Sequence, residues 1–191
     1  MNISFGKKIP IAQCQIQSIK TGKFEPATIY ELDCKDETDV IETLKPQDKW
    51  IYARSINRNM CNKYIQQQQG EESSSTFYIL ENKDGKTLGM AQTDELLKKA
   101  HNLAFLDTEK DKQYKYVGQT LLASIAKNIM DKDGIRLSVF EPVPTAVPFY
   151  DKICGFQNIG NLLLTADRQE MKDFISRTQE RTKSTLIDLK G

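Results

Sequence analysis

Residues 117–131 limit the fold more than any other stretch. Leu121, Leu122, Ile125, Ala126, Ile129 and Met130 recur at helical spacing, which predicts a helix carrying one continuous apolar stripe. Gly134 follows where a C-cap glycine is expected. Such a stripe is stable only against a second layer, and the flanks offer one. Asn102–Thr108 reads as a strand ahead of a charged loop, Glu109–Lys112, and Ile135–Phe140 as an apolar, β-branched central strand behind the helix.

The remaining pattern supplies more strands and fewer helices. Ile9 to Gln17 and Ala27 to Asp33 read as two strands joined through a turn at Thr21–Lys23. Asp36 to Leu44 predicts a short helix stopped before Pro46, and Ile51 to Gln67 a longer one on which Ile56, Met60 and Tyr64 recur every four residues. Gln66–Ser75 is polar and of low complexity, a surface loop or a segment flanking a cleft. Thr76–Glu81 and Thr87–Thr93 form a hairpin about Asp84-Gly85. Thr145–Cys154 predicts a short helix ended by Gly155. Two short strands follow at Phe156–Asn158 and Leu162–Thr165. An amphipathic helix from about Asp167 to Thr182 then uses Met171, Phe174 and Ile175. The order is that of an α/β or α+β sheet with helices packed on it, without internal repeats.

Composition removes whole classes of function. With 27 Lys+Arg against 26 Asp+Glu in 191 residues, no global field draws in nucleic acid or an anionic membrane. The longest apolar runs are too short to span a bilayer, and MNISFGKKIP lacks a signal-peptide core. The expectation is a soluble, cytoplasmic protein. Cys14, Cys34, Cys61 and Cys154 are scattered and His101 is the only histidine, so no metal site is expected and the thiols read as small buried hydrophobes. Gly85-Lys86-Thr87 resembles the tail of a phosphate loop, but Leu80 stands where its first glycine would fall.

The chemistry points to the junction before the long helix. Gln113-Tyr-Lys-Tyr-Val-Gly118-Gln-Thr follows a strand and opens the helix, and a helix N-terminus presents unpaired N–H groups to anions. Further on comes Ala146-Val-Pro-Phe149-Tyr150-Asp-Lys152-Ile-Cys-Gly155-Phe156. Together the two motifs resemble the GCN5-related N-acetyltransferase superfamily. Its Q/R-x-x-G-x-G/A loop is matched by Gln113 and Gly118, and its later A-x-x-F-Y-x-K-x-G-F pattern by Ala146, Phe149, Tyr150 and Lys152 and, one position late, by Gly155 and Phe156. Tyr116 stands where the family loop has its first glycine, and Val143 where an asparagine is often found.

The resemblance implies a mixed, mostly antiparallel sheet with helices on both faces and two neighbouring parallel strands that splay. It implies an acetyltransferase-like domain over residues 27–166, preceded by an N-terminal extension (1–26) and followed by a C-terminal helix and tail (167–191). It also implies acetyl-CoA as co-substrate, bound by Gln113, Tyr114, Lys115, Tyr116, Val117, Gly118, Gln119 and Thr120. Backbone at Leu106 and Thr108 would lie along the pantetheine arm, with Leu106 N–H facing the thioester carbonyl. The acetyl group would pass directly to an amine, on a small molecule or a protein, without a covalent enzyme intermediate. Tyr150 matches the family's general acid, since a phenol can protonate a departing thiolate and be restored. For the base, Glu141 and Asp107 are candidates, with His101 and a water chain as alternatives. A catalytically silent acyl-CoA-binding sensor or assembly domain of the same fold is the alternative, favoured by Tyr116 and opposed by Tyr150. A third reading is an interaction protein using loop 66–75 and the last helix. The N-terminal extension and final helix are candidate homodimer or cleft-covering elements.

Overall fold

The computed structural model describes residues 8–43, 50–97, 99–160, 162–183 and 187–188. The expectations for residues 1–7, for Leu44 and Pro46 and for most of the tail beyond Lys183 lie outside these. A ten-stranded sheet forms the centre of the molecule. Its strands are β1 (Ile9–Ser18), β2 (Phe24–Leu32), β3 (Ser75–Asn82), β4 (Thr87–Leu97), β5 (Ala100–Thr108), β6 (Tyr114–Lys115), β7 (Arg136–Phe140), β8 (Gln157–Ile159), β9 (Leu163–Asp167) and β10 (Ile187–Asp188). They lie in the order β10-β1-β2-β3-β4-β5-β7-β9-β8, with β6 paired to β1. Every pairing is antiparallel except β5 with β7.

Among the described residues four α-helices cover the two faces: α1 (Glu37–Glu42), α2 (Ala53–Gln68), α3 (Val117–Asp131) and α4 (Arg168–Thr182). One core gathers Leu121, Leu122, Ile125 and Ile129 of α3 with Phe174 of α4 and with Ile16, Ile29 and Leu80 of the sheet. The other holds Ile56 and Met60 of α2, Val40 of α1 and Trp50 against Phe77, Ile79 and Met90. Alternating strand side chains feed the two cores in turn: Leu80 enters the first, Ile79 the second. The expected mixed, mostly antiparallel sheet with helices on both faces is the observed architecture. Strand β1 belongs to its interior, paired to β2 over most of its length, with Ile11, Cys14 and Ile16 buried.

One expectation is corrected and one refined. Gly134 is not the left-handed cap of α3. Asp133 takes that conformation (φ 63°), its N–H bonding Met130 carbonyl at 3.1 Å while Gly134 N–H bonds Ile129 carbonyl at 2.7 Å. This is a Schellman closure with the glycine one place later than expected. Glycine is needed there because a Cβ would stand 2.2 Å from Ile129 Cγ2. The helix expected over 145–154 is present from Val147 to Cys154: turns at 144–146 lead into α-helical Val147 and Pro148, and the rest, Phe149–Cys154, is wound as a π-helix. Pro148 sits at its start, where a missing N–H costs nothing. The last helix is better closed than its apolar pattern indicates. Asp167 accepts from Gln169 and Glu170 N–H (2.8 and 2.9 Å) while Glu170 reaches back to Asp167 N–H, a capping box whose Asp is worth about 1 kcal/mol.

Candidate functional site

Strands β5 and β7 run side by side for only three registered pairs, Ala100–Arg136, His101–Leu137 and Asn102–Ser138. Beyond them both strands continue, to Thr108 and Phe140, without pairing to each other. Ala104 is the cause on the β5 side. It is an extra residue between Leu103, opposite Thr93, and Phe105, opposite Gln92, and such a bulge bends its strand. It also resets the faces, so that Leu103 enters the core under α3 while Phe105 packs with the core under α2.

Within this splayed end, Glu109 N–H donates to Leu88 carbonyl at 2.9 Å. Antiparallel alternation then places Asp107 and Phe105 in the bonded positions opposite β4 and turns the main-chain groups of Leu106 and Thr108 toward the gap. Thr108 N–H is met by the Asp107 carboxylate at 2.9 Å. Leu106 and Thr108 are the two residues along whose backbone the sequence expectation lays the pantetheine arm.

Helix α3 opens beside the gap. Its N-cap, Tyr116, makes no side-chain cap, and Thr120 N–H is the first to find a helical partner, Tyr116 carbonyl at 2.8 Å. Tyr116 holds φ 70°, a left-handed conformation that costs a residue with a Cβ about 1–2 kcal/mol. The approach to the helix is anchored by β1, through the pairing of Gln17 with Lys115 and Ser18 with Tyr114 and through Ile19 N–H to Gln113 carbonyl at 2.8 Å. A cleft of about 340 Å³ lies over the helix start, lined by Thr108, Gln113, Tyr114, Tyr116, Val117, Gly118 and Gln119. Of the remaining expected coenzyme residues, Lys115 is exposed in β6, Thr120 is buried inside α3, and Leu106 lies deeper in the strand gap; none of the three lines this cleft.

Tyr150 is 7 % exposed, its ring against Phe149 and Phe156 at 5.1 and 6.1 Å between centroids. Burial, chiefly, pushes its phenol well above the ordinary 10, with Cys154 and Tyr52 adding to the shift, so the hydroxyl keeps its proton. Asp107 Oδ2 accepts Tyr52 N–H at 2.7 Å. Burial pushes its carboxyl up from the ordinary 3.8, against the pull of the Tyr52 and Thr108 N–H groups. Glu141 is exposed beyond β7 with φ 47°, its N–H on Leu162 carbonyl at 2.8 Å. His101 lies six positions before Asp107, in the part of β5 still paired with β7, and its imidazole is pushed below the ordinary 6.5, mainly by burial. Among the described residues no group of three or more His, Cys, Asp or Glu could hold a metal ion, and no helix is long and apolar enough to cross a membrane.

Two residues near the site carried no sequence signal. Arg181, exposed on α4, lines the cleft beside Phe149 and Ile153; only the fold-back of α4 onto α3, through Gln119 Nε2 to Thr178 Oγ1 at 3.1 Å, brings it there. Tyr52 opens α2, and its ring lies 5.9 Å from that of Phe105.

No curated protein matches the chain in sequence. Solved structures resemble it in fold at low identity. A GNAT-family protein from Desulfovibrio desulfuricans has a TM-score of 0.56 at 11% identity, covering 74% of this chain and 99% of its own. The ribosomal-protein-S18-alanine N-acetyltransferase from Escherichia coli gives 0.51 at 14%, covering 74% and 93%. The PaiA N-acetyltransferase from Thermoplasma acidophilum, solved in complex with coenzyme A, gives 0.50 at 16%, covering 74% and 98%. The family model "Acetyltransferase (GNAT) domain" matches residues 40–166, two thirds of the sequence, and the chain therefore belongs to the GNAT acetyltransferase family.

Proposed function

We propose that the chain is an acetyl-CoA-dependent N-acetyltransferase that passes the acetyl group directly to an amine on a small molecule or a protein. The observation carrying this reading is the gap between β5 and β7, with the main chain of Leu106 and Thr108 turned into it and the uncapped start of α3 at its side. A pyrophosphate fits the first N–H groups of α3, where partial positive charge and unpaired donors coincide. Gln113, Tyr114, Tyr116, Val117, Gly118 and Gln119 would hold it, with Thr108 and Leu106 along the acyl arm. Acetyl-CoA supplies an activated acetyl thioester when bound. Leu106 N–H polarises the carbonyl oxygen, as a fixed donor aimed where negative charge develops. The Tyr150 hydroxyl, held protonated by its burial, delivers a proton to the leaving sulfur. Glu141, exposed at the end of β7, takes the proton of the attacking amine or passes it to water.

Neighbours described as an N-acetyltransferase and as a coenzyme A complex support the reading. Its test is binding followed by turnover. Coenzyme A at 100 times its dissociation constant adds about 2.7 kcal/mol to stability, on the order of 5–10 °C in Tm for a chain of this length. A panel of amines with labelled acetyl-CoA then identifies the acceptor. A flat melting curve at millimolar coenzyme A refutes the reading. Binding without transfer to any amine supports the second reading, a silent acyl-CoA sensor, which the strained Tyr116 at the phosphate loop favours.

A further inference from the structure

Asp107 joins two elements at this site through its carboxylate. Helix α2 begins without the usual devices. Its N-cap, Tyr52, makes no side-chain cap, and its first turn has no acidic residue. The carboxylate that meets this helix start comes from β5, 55 positions away in sequence, as Asp107 Oδ2 accepting Tyr52 N–H at 2.7 Å. In a capping box, a glutamate of the helix itself performs that task for the N-cap N–H. The other oxygen, Oδ1, accepts Thr108 N–H at 2.9 Å. Both oxygens are thus engaged by main-chain donors, one at the start of α2 and one in β5 itself.

The consequence lies in which donor stays available. Leu106 and Thr108 both turn their main chain into the gap, but Asp107 occupies the N–H of Thr108. Leu106 N–H is left as the donor facing the ligand. The same carboxylate ties the strand to the start of α2, where the Tyr52 ring packs near Phe105, the neighbour of Leu106. We propose that Asp107 is a positioning residue: it locks the splayed end of β5, paired there with β4 alone, to the start of α2, so that Leu106 N–H stands fixed at the acyl carbonyl, and it exchanges no proton with substrate. The proposal rests on the acetyl-CoA reading above.

The test compares Asp107→Asn with Asp107→Ala in the full chain. Asparagine keeps one acceptor oxygen and alanine keeps none. A donor displaced by ~1 Å costs about 100-fold in rate, so Asp107→Ala should lose on the order of 100-fold in kcat with the acetyl-CoA KM within about twofold. That split marks an interaction made mainly in the transition state. Asp107→Asn should retain a larger share of kcat than Asp107→Ala, with the wild-type limbs of its pH–rate profile intact. Hydrogen exchange at the Tyr52 amide, measured without ligand, should quicken in Asp107→Ala. Two results overturn the proposal: Asp107→Asn as inactive as Asp107→Ala with a limb of the pH profile lost, which is the behaviour of a base, or wild-type kcat per folded molecule in Asp107→Ala. Wild-type protein that binds no coenzyme A instead overturns the acetyl-CoA reading, which the variants do not address.

Discussion

Arg177 lies directly over Gly155. Its Nη2 donates to Cys154 carbonyl at 2.9 Å, and a Cβ on Gly155 would stand 2.4 Å from that nitrogen. Gly155 also holds φ 75° as the cap of the π-helix that carries Tyr150. The glycine of the Lys152-x-x-Gly155-Phe156 segment is therefore a conformational and steric requirement. Gly155→Ala should destabilise the protein by about 1–2 kcal/mol from the left-handed backbone alone, read by urea unfolding. Arg177→Ala removes one charge-assisted hydrogen bond, worth about 1.5–3 kcal/mol, and should restore room for a Cβ. The double variant should then be less destabilised than the sum of the two single ones; strict additivity would show that the contact carries no energy.

At Gly118 there is room for a methyl group. A Cβ would lie 3.4 Å from Thr108 Cγ2 and 3.8 Å from Phe149. Gly118→Ala should leave the fold intact and gain up to about 1 kcal/mol of helix propensity, whereas Gly118→Glu sends a negative charge into the cleft over the α3 N-terminus. Calorimetric titration with coenzyme A should show binding in the alanine variant and none in the glutamate variant, with native circular dichroism in both. Normal binding by Gly118→Glu would place the phosphate site elsewhere.

Removing the Tyr150 hydroxyl separates proton transfer from packing. The ring of Tyr150→Phe still meets Phe149 and Phe156, so coenzyme binding should change little. General acid catalysis contributes about 10²–10⁴-fold, and turnover should fall by that order with the acetyl-CoA KM nearly constant. A structural tyrosine gives the opposite pattern, a lowered Tm with full activity per folded molecule.

The pH dependence of stability near neutrality should carry the mark of His101. Burial, first, and then Lys132 push its pKa below the ordinary 6.5, while Glu95 opposes them. The folded state thus favours neutral imidazole. Stability is complete above pH 6.5 and is lost as pH falls from there through the folded pKa, because the unfolded chain takes up the proton first. Asp39 and Asp107 are shifted upward, mainly by burial; their contributions have the opposite sign and belong to more acid pH. Tm measured between pH 5 and 8 should fall on acidification in wild type and be flatter in His101→Gln; equal slopes would dismiss the assignment.

Local chemistry was enough to place α3, because its apolar stripe and its bounds are written in consecutive residues, and enough to mark Gln113–Gly118 and Ala146–Phe156 as the segments that carry the family's motifs. The sequence alone also separates Asp84-Gly85 as a turn and Asp167–Thr182 as a helix, since turn chemistry and 3.6-residue spacing act over a few positions. Only tertiary structure decided the rest. The bulge at Ala104 is a matter of register against β4, the end of pairing at Asn102–Ser138 depends on how two distant strands diverge, and the reach of Arg181 depends on α4 folding back over α3. The pairing of β6 with β1 and the bond from Tyr52 to Asp107 likewise join residues whose local propensities say nothing of each other. A periodic pattern reports which face of an element must be buried; which neighbour covers that face, and which main-chain groups stay open as a result, is fixed by packing across the whole sheet.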